Sequence, residues 1–187
     1  MNAEKRNSFV YRVCAFFRFL RLKTHKKNRV VICKGNLCAP SSTIVNQGRL
    51  EFGAGFALLK DSTLIVRKNG TFIAGDNVIV GVRSYIVCHD RIEFGNNVSI
   101  AQDVKIYDHD HDIKTGSPDK TFWKNNFLSS PIKIGNNVWI GAGTIILRGT
   151  VIGDNSVVGA GAVLKGIYPS DSIIVQKRND TIVSKRK

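Results

Sequence analysis

The sequence predicts an all-β chain, coiled as a parallel β-helix of hexapeptide repeats, with a short amphipathic helix before it and one long excursion within it. Three observations carry this. An aliphatic residue recurs at every sixth position through most of the chain. Glycine is abundant at 17 residues and proline scarce at 4. The net charge of +14 sits at the two ends, leaving a nearly neutral body. The 187 residues suffice for one domain with a real core. A composition of 43% hydrophobic and 22% charged residues excludes a disordered chain. No run of 18 apolar residues offers a membrane span. Cys14, Cys33, Cys38 and Cys88 form no CxxC pair and read as reduced thiols, as in a cytoplasmic protein.

The first element is basic. Residues 1–34 hold ten Lys/Arg against Glu4, and residues 177–187 hold five against Asp180. Within residues 5–23, Phe9, Val10, Val13, Phe16, Phe17 and Leu20 fall on one helical stripe about 120° wide. Arg6, Arg12, Arg18, Arg21 and Lys23 lie outside it. Two expectations stay open. The helix lies on an anionic membrane face, which would place the protein peripherally at the inner side of the cytoplasmic membrane, or it packs on the end of the main domain. We divide the chain into a basic helix and linker (1–29), a β-helix domain (30–175) and a basic tail (176–187). Charge confined to the ends, without aromatic stacking motifs, argues against a nucleic-acid binder.

The repeat is cleanest in Ile134, Ile140, Ile146, Ile152, Val158 and Leu164. Upstream it groups in threes: Phe52, Leu58, Leu64; then Ala74, Val80, Ile86; then Phe94, Ile100, Ile106. An 18-residue coil of three hexapeptides explains the set starts at 52, 74, 94, 134 and 152, with insertions at the breaks. Residues 30–51 make one more, degenerate coil. Each hexapeptide supplies a short strand and a corner. The aliphatic residue points inward, and Gly or Asn takes the tight corner. One coil cannot bury its apolar side alone, so several must stack.

The largest break, residues 107–131, carries two of the four histidines, four aspartates and aromatic residues. Function concentrates in such loops on rigid frames. His109 and His89 both take the fourth place of their hexapeptides, counted from Ile106 and Ile86. The register therefore predicts two imidazoles in one column on adjacent coils.

The array, the His in an excursion, and the run IGNNVWIGAGTIILRGTVIGDNSVVGAGAVLKG resemble the hexapeptide-repeat acyltransferases, in particular the galactoside and maltose acetyltransferase branch with its polysaccharide O-acetyltransferases. The resemblance covers about residues 50–175. It implies a left-handed parallel β-helix, a homotrimer with sites between subunits, and acetyl transfer from acetyl-CoA to a sugar hydroxyl without a metal. It implies His109 as general base, with Asp108 or a carbonyl holding its tautomer, and the Ala142 N–H as oxyanion donor. His89, Asp108, His111 and Trp139 would border the carbohydrate acceptor. Trp139, Ala142, Ala160, Gly161 and Lys165 would line the acetyl-CoA groove, with Lys177 and Arg178 reaching its phosphates. Trp139 also reads as an aromatic covered by a neighbouring subunit, and Lys165 as a solvated corner lysine. The family's Pro-containing ending is absent here. The basic helix favours a surface polysaccharide or lipid-linked glycan as acceptor. Three rivals stay open: N-acetylation of an amino sugar, a zinc enzyme like the γ-class carbonic anhydrases on His89, His109 and His111, and a β-helix without catalysis.

Overall fold

The computed structural model describes Val13, Phe17 and residues 29–32, 35–112 and 126–176. The chain winds as a left-handed parallel β-helix of three faces, with six complete coils and part of a seventh. Face A stacks the strands Arg29–Ile32, Arg49–Phe52, Thr71–Ala74, Arg91–Phe94, Ile132–Ile134, Val151–Ile152 and Ile167–Tyr168. Face B stacks Leu37–Cys38, Ala57–Leu58, Ile79–Val80, Ser99–Ile100, Trp139–Ile140, Val157–Val158 and Ile173–Ile174. Face C stacks Thr43–Asn46, Thr63–Val66, Tyr85–Cys88, Lys105–Tyr107, Ile145–Ile146 and Val163–Leu164.

The register is the one the repeat predicts. Phe52 pairs with Ala74, Ala74 with Phe94, Phe94 with Ile134, and Ile134 with Ile152. The degenerate first coil joins in phase, Cys38 beside Leu58 and Ile44 beside Leu64. The last part-coil breaks the count of six. Ile152 pairs with Tyr168 and Val158 with Ile174, because the corner after Leu164 is two residues short. Periodicity could not show this, since the signal itself changes there.

The inward aliphatic residues, among them Leu58, Leu64, Ile86, Ile106 and Ile140, are fully buried. Each contributes about 1.5–3 kcal/mol by leaving water. At the corners leading into faces B and C the fifth place of the hexapeptide also faces inward, and Thr150 does so leading into face A, which explains its small or β-branched occupants. Val78, Val98 and Val138 pack there, and Ser62 and Thr150 turn their hydroxyls onto the carbonyls of Gly81 and Leu147 (2.6 Å each). The first coils are wider and hold Phe52, stacked on Phe56 with centroids 3.9 Å apart.

The corner between faces A and B, which holds Gly35 and Gly55 in the first two coils, repeats regularly from the third coil onward. Asn77, Asn97, Asn137, Asn155 and Asp171 all take left-handed φ between 54° and 59°. Asn is among the few residues with a side chain that tolerate this. Their side chains form a ladder of hydrogen bonds 3.0–3.1 Å long up the prism. Gly135 precedes one such rung, and a Cβ there would meet Asp154 Oδ1 at 2.2 Å.

Val13 and Phe17 are helical, one turn apart, and exposed. The rest of the predicted stripe and its arginines lie outside the described residues. So do residues 113–125, and Lys177 and Arg178.

Candidate active site

The excursion leaves the prism at the corner between faces C and A. Its stem is a two-stranded antiparallel ribbon, His109–His111 against Phe127–Ser129. The Ser130 N–H donates to the Asp108 carbonyl (2.9 Å) and the Gly149 N–H to the Ser130 carbonyl (3.2 Å), tying the stem to the coil on either side.

The predicted imidazole column is present. His89 and His109 stack with ring centroids 3.8 Å apart and planes 24° from parallel. Phe127 tilts against both, at 4.6 and 5.4 Å, and against His111 at 4.8 Å. Tyr107 meets the edge of the His109 ring.

Asp108 sits beneath, fully buried. Its carboxylate accepts the His89 N–H (2.8 and 3.0 Å) and the Asp90 N–H (2.7 Å), and lies 3.2 Å from His109 Nδ1. Burial alone would raise its pKa. The hydrogen bonds from His109 and the two amides outweigh burial and hold it below the ordinary carboxylate value. An ionised Asp108 thus fixes the His109 tautomer with hydrogen on Nδ1, leaving the Nε2 lone pair as the basic one. His89 is pushed down to about 4, first by burial and then by the nearby His109, so it is neutral near pH 7.

Cys88, one residue before His89, is no nucleophile. Burial, then the Asp108 charge, push its thiol pKa up, and the thiol donates to the Thr71 carbonyl. Nor do the histidines converge as metal ligands. Stacked rings point their nitrogens in parallel rather than at a common centre, and no cluster of three His, Cys, Asp or Glu that could hold a metal occurs among the described residues.

His89, His109, His111 and Phe127 line a cavity of about 550 Å³, which continues past Val87 to Gln47, Arg67 and Lys68. Asp110 is already engaged. Arg148 Nε bonds it at 2.6 Å and Lys165 Nζ lies 3.6 Å away. Lys165 therefore stands at the histidine corner. Arg148, Phe127, Arg67 and Lys68 were not singled out from sequence. Arg67 carried a signal, since it takes the same fourth place, counted from Leu64, as both histidines. Phe127 carried none, because the excursion suspends the repeat.

The other predicted residues sit elsewhere. Trp139 projects from face B, 55% exposed. Ala142 and Ala160–Gly161 turn the corner between faces B and C. In the earlier coils the left-handed place at this corner holds Asp61, Arg83 and Asp103. In the last two it holds Gly143 and Gly161. Charged side chains, with Arg83 clamping Asp103 through two bonds of 2.7–2.8 Å, give way to bare backbone. The Gly141 and Gly143 N–H groups donate to neighbouring coils (2.8 and 3.0 Å), whereas the Ala142 N–H has no acceptor among the described residues. One chain thus carries the histidine group and the bare rail on different corners of the prism.

Residues 131–166 match the bacterial transferase hexapeptide (six repeats) family. The chain is 30% identical over 171 residues to WbbJ of Escherichia coli K12, described as a lipopolysaccharide biosynthesis O-acetyl transferase, covering 88% of this chain and 85% of WbbJ. The chain belongs to the hexapeptide-repeat acyltransferases. The galactoside O-acetyltransferase of Escherichia coli K12 is 39% identical over 108 residues, 53% of this chain and 50% of that enzyme. Among solved structures, the N-acyltransferase AntD of Bacillus cereus, in complex with dTDP and coenzyme A, shares the fold with a TM-score of 0.66. It is 19% identical, over 90% of this chain and 89% of AntD. The polySia-specific acetyltransferase NeuO shares it with a TM-score of 0.63 and 21% identity, over 83% and 76% of the two chains.

Proposed function

We propose that the chain is an acetyl-CoA-dependent O-acetyltransferase acting on a sugar hydroxyl of a bacterial surface polysaccharide or lipid-linked glycan. The observation that carries this is the buried, amide-held Asp108 beside Nδ1 of His109, at the edge of a cavity large enough for a sugar. Relatives described as O-acetyltransferases support the hydroxyl acceptor.

His109 Nε2 takes the proton of the acceptor hydroxyl as its oxygen attacks the thioester carbonyl. The developing oxyanion is met by a backbone N–H, which is the role of Ala142; such a donor contributes about 3–4 kcal/mol to the barrier. The tetrahedral intermediate then collapses, its C–S bond breaks, and His109 returns the proton to the departing sulfur. Asp108 stays ionised and stabilises the imidazolium between the two transfers. The acyl group never resides on the protein.

Because His109 and Ala142 stand on different corners, a complete site needs the histidine corner of one subunit against the bare corner of the next. We take that assembly to be a homotrimer. Gly143 and Gly161, with only the methyl of Ala160 beside them, give the acyl-CoA arm a path of nearly bare backbone, and Trp139 flanks it.

His109→Ala should lower kcat by roughly 10²–10⁴ and leave the Kd for acetyl-CoA unchanged. Lost acetyl-CoA binding with unchanged turnover of the bound complex would refute the base. Treating the product with hydroxylamine separates the acceptor classes: an O-acetyl ester is cleaved, and an N-acetyl amide survives.

A further inference from the structure

The cavity beside His109 does not end at the histidines. Gln47, Arg67, His89 and His109 occupy equivalent places on four successive coils: the first three each follow a paired strand position by one residue, and His109 follows Tyr107, the partner of Val87, by two as His89 follows Val87. Arg67 is two coils from His109, roughly 10 Å along the prism at the spacing of parallel strands. Lys68 follows it at the same rim.

The charge of these two residues is unanswered. Arg49 pairs with Glu51, Arg91 with Glu93, Arg83 with Asp103, and both Arg148 and Lys165 with Asp110. Among the described residues no carboxylate pairs with Arg67 or Lys68, although both are exposed and both line the cavity. Arginine presents a rigid fork of donors that matches a carboxylate or phosphate. A neutral glycan would offer that fork only hydroxyls.

We infer that Arg67 and Lys68 form an anion subsite for the acceptor, holding a carboxylate or phosphate about two coils from the hydroxyl that His109 deprotonates. The acceptor is then an acidic sugar, or a sugar carried on a phosphate. Two neighbouring features fit an anion there. His89, between Arg67 and His109, is neutral near pH 7, so the cavity keeps the positive charge at its far end. Asp110, a half-buried acid at the foot of the excursion, is paired with Arg148 and Lys165, which offsets its repulsion of an incoming anion.

This inference rests on the proposed acetyl transfer, but its test does not use turnover. The full chain, saturated with coenzyme A, is titrated with methyl glucuronide, glucose 1-phosphate and methyl glucoside, and the His89 and His109 imidazole resonances are followed by NMR. At least one of the two anionic sugars should bind about tenfold more tightly than methyl glucoside, the fold-change two partly shielded charge pairs provide. The preferred one distinguishes carboxylate from phosphate. That preference should shrink as sodium chloride is raised. It should vanish in Arg67→Gln/Lys68→Gln protein whose melting temperature and subunit mass match the parent. Equal binding of all three sugars, no binding by any, or a preference that survives the double substitution would overturn the subsite. So would a weakened Kd for coenzyme A in the double variant, which would give these cations to the phosphates of the donor. Failure of His109→Ala to slow turnover would instead strike the acyl-transfer reading and leave this result standing.

Discussion

Two corners of one prism are built from the same six-residue grammar and end in opposite states. The corner between faces A and B repeats Gly, then Asn or Asp, then Asn on four successive coils, residues 75–77, 95–97, 135–137 and 153–155. Every side chain in its ladder finds its partner in its own equivalent, as Asn97 does in Asn137 at 3.0 Å. The corner between faces C and A has no such self-similarity. Gln47, Arg67, His89 and His109 succeed one another there, and the excursion departs from it. A repeat that satisfies itself makes a scaffold, because each group is used up by its copy. A column whose members differ leaves an imidazole, a cavity and unpaired charge not used up by the scaffold.

The contrast should appear in mutational effects of different kinds. The largest belongs to the irregular corner. Asp108→Asn keeps the side chain's size but removes the charge that orients His109. We expect kcat to fall about 10–100-fold with little change in the KM for acetyl-CoA, read from initial rates. A change in that KM with kcat preserved would mean that Asp108 serves the fold alone.

The effect of acid comes next and also concerns this corner. His89 titrates near 6.5 when unfolded and at about 4 in the fold. Between those values the unfolded chain binds the extra proton, so stability is complete above pH 6.5 and declines as pH falls toward 4. Asp108, held below its ordinary value, adds a further loss as pH drops under about 4. Melting temperatures measured from pH 7 to 4 should fall, and His89→Gln should flatten that decline. An unchanged slope in the variant would assign the acid sensitivity elsewhere.

The regular corner should respond in stability and not in turnover. Asn137→Ala places a Cβ-bearing residue without a local hydrogen bond at a φ of 54° and removes a rung of the ladder. A cost of about 1–2 kcal/mol in denaturant unfolding is expected. A matching loss of kcat would blur the division between the corners.

Much of this was legible in the sequence, for a physical reason. Inward aliphatic residues must stack on their equivalents, so the six-residue count, restarted after each insertion, fixes the pairing of the inward residues from Phe52 to Leu164. The same arithmetic set His89 over His109 before any coordinates. It could not give Asp108's bonds to the backbone, which depend on how the chain turns out of the strand. Nor could it give Phe127 or the Arg148–Asp110 pair, because both depend on where the excursion returns. Arg67 was reachable by counting, but histidine draws notice by its chemistry and arginine on a surface does not.

The central claim is that neither corner suffices alone and that two chains make one site. His109→Ala disables the first corner, and Ala160→Trp obstructs the second at an exposed position outside the core. Each variant should be inactive when purified by itself. Co-expressed with different tags and isolated as mixed trimers, they should regain about one third of the parental kcat, since every trimer holding both variants brings an intact histidine corner against an intact rail at one interface in three. Mixed assemblies with no recovered activity would contradict the claim, because a site contained in a single chain cannot be rescued by its neighbour.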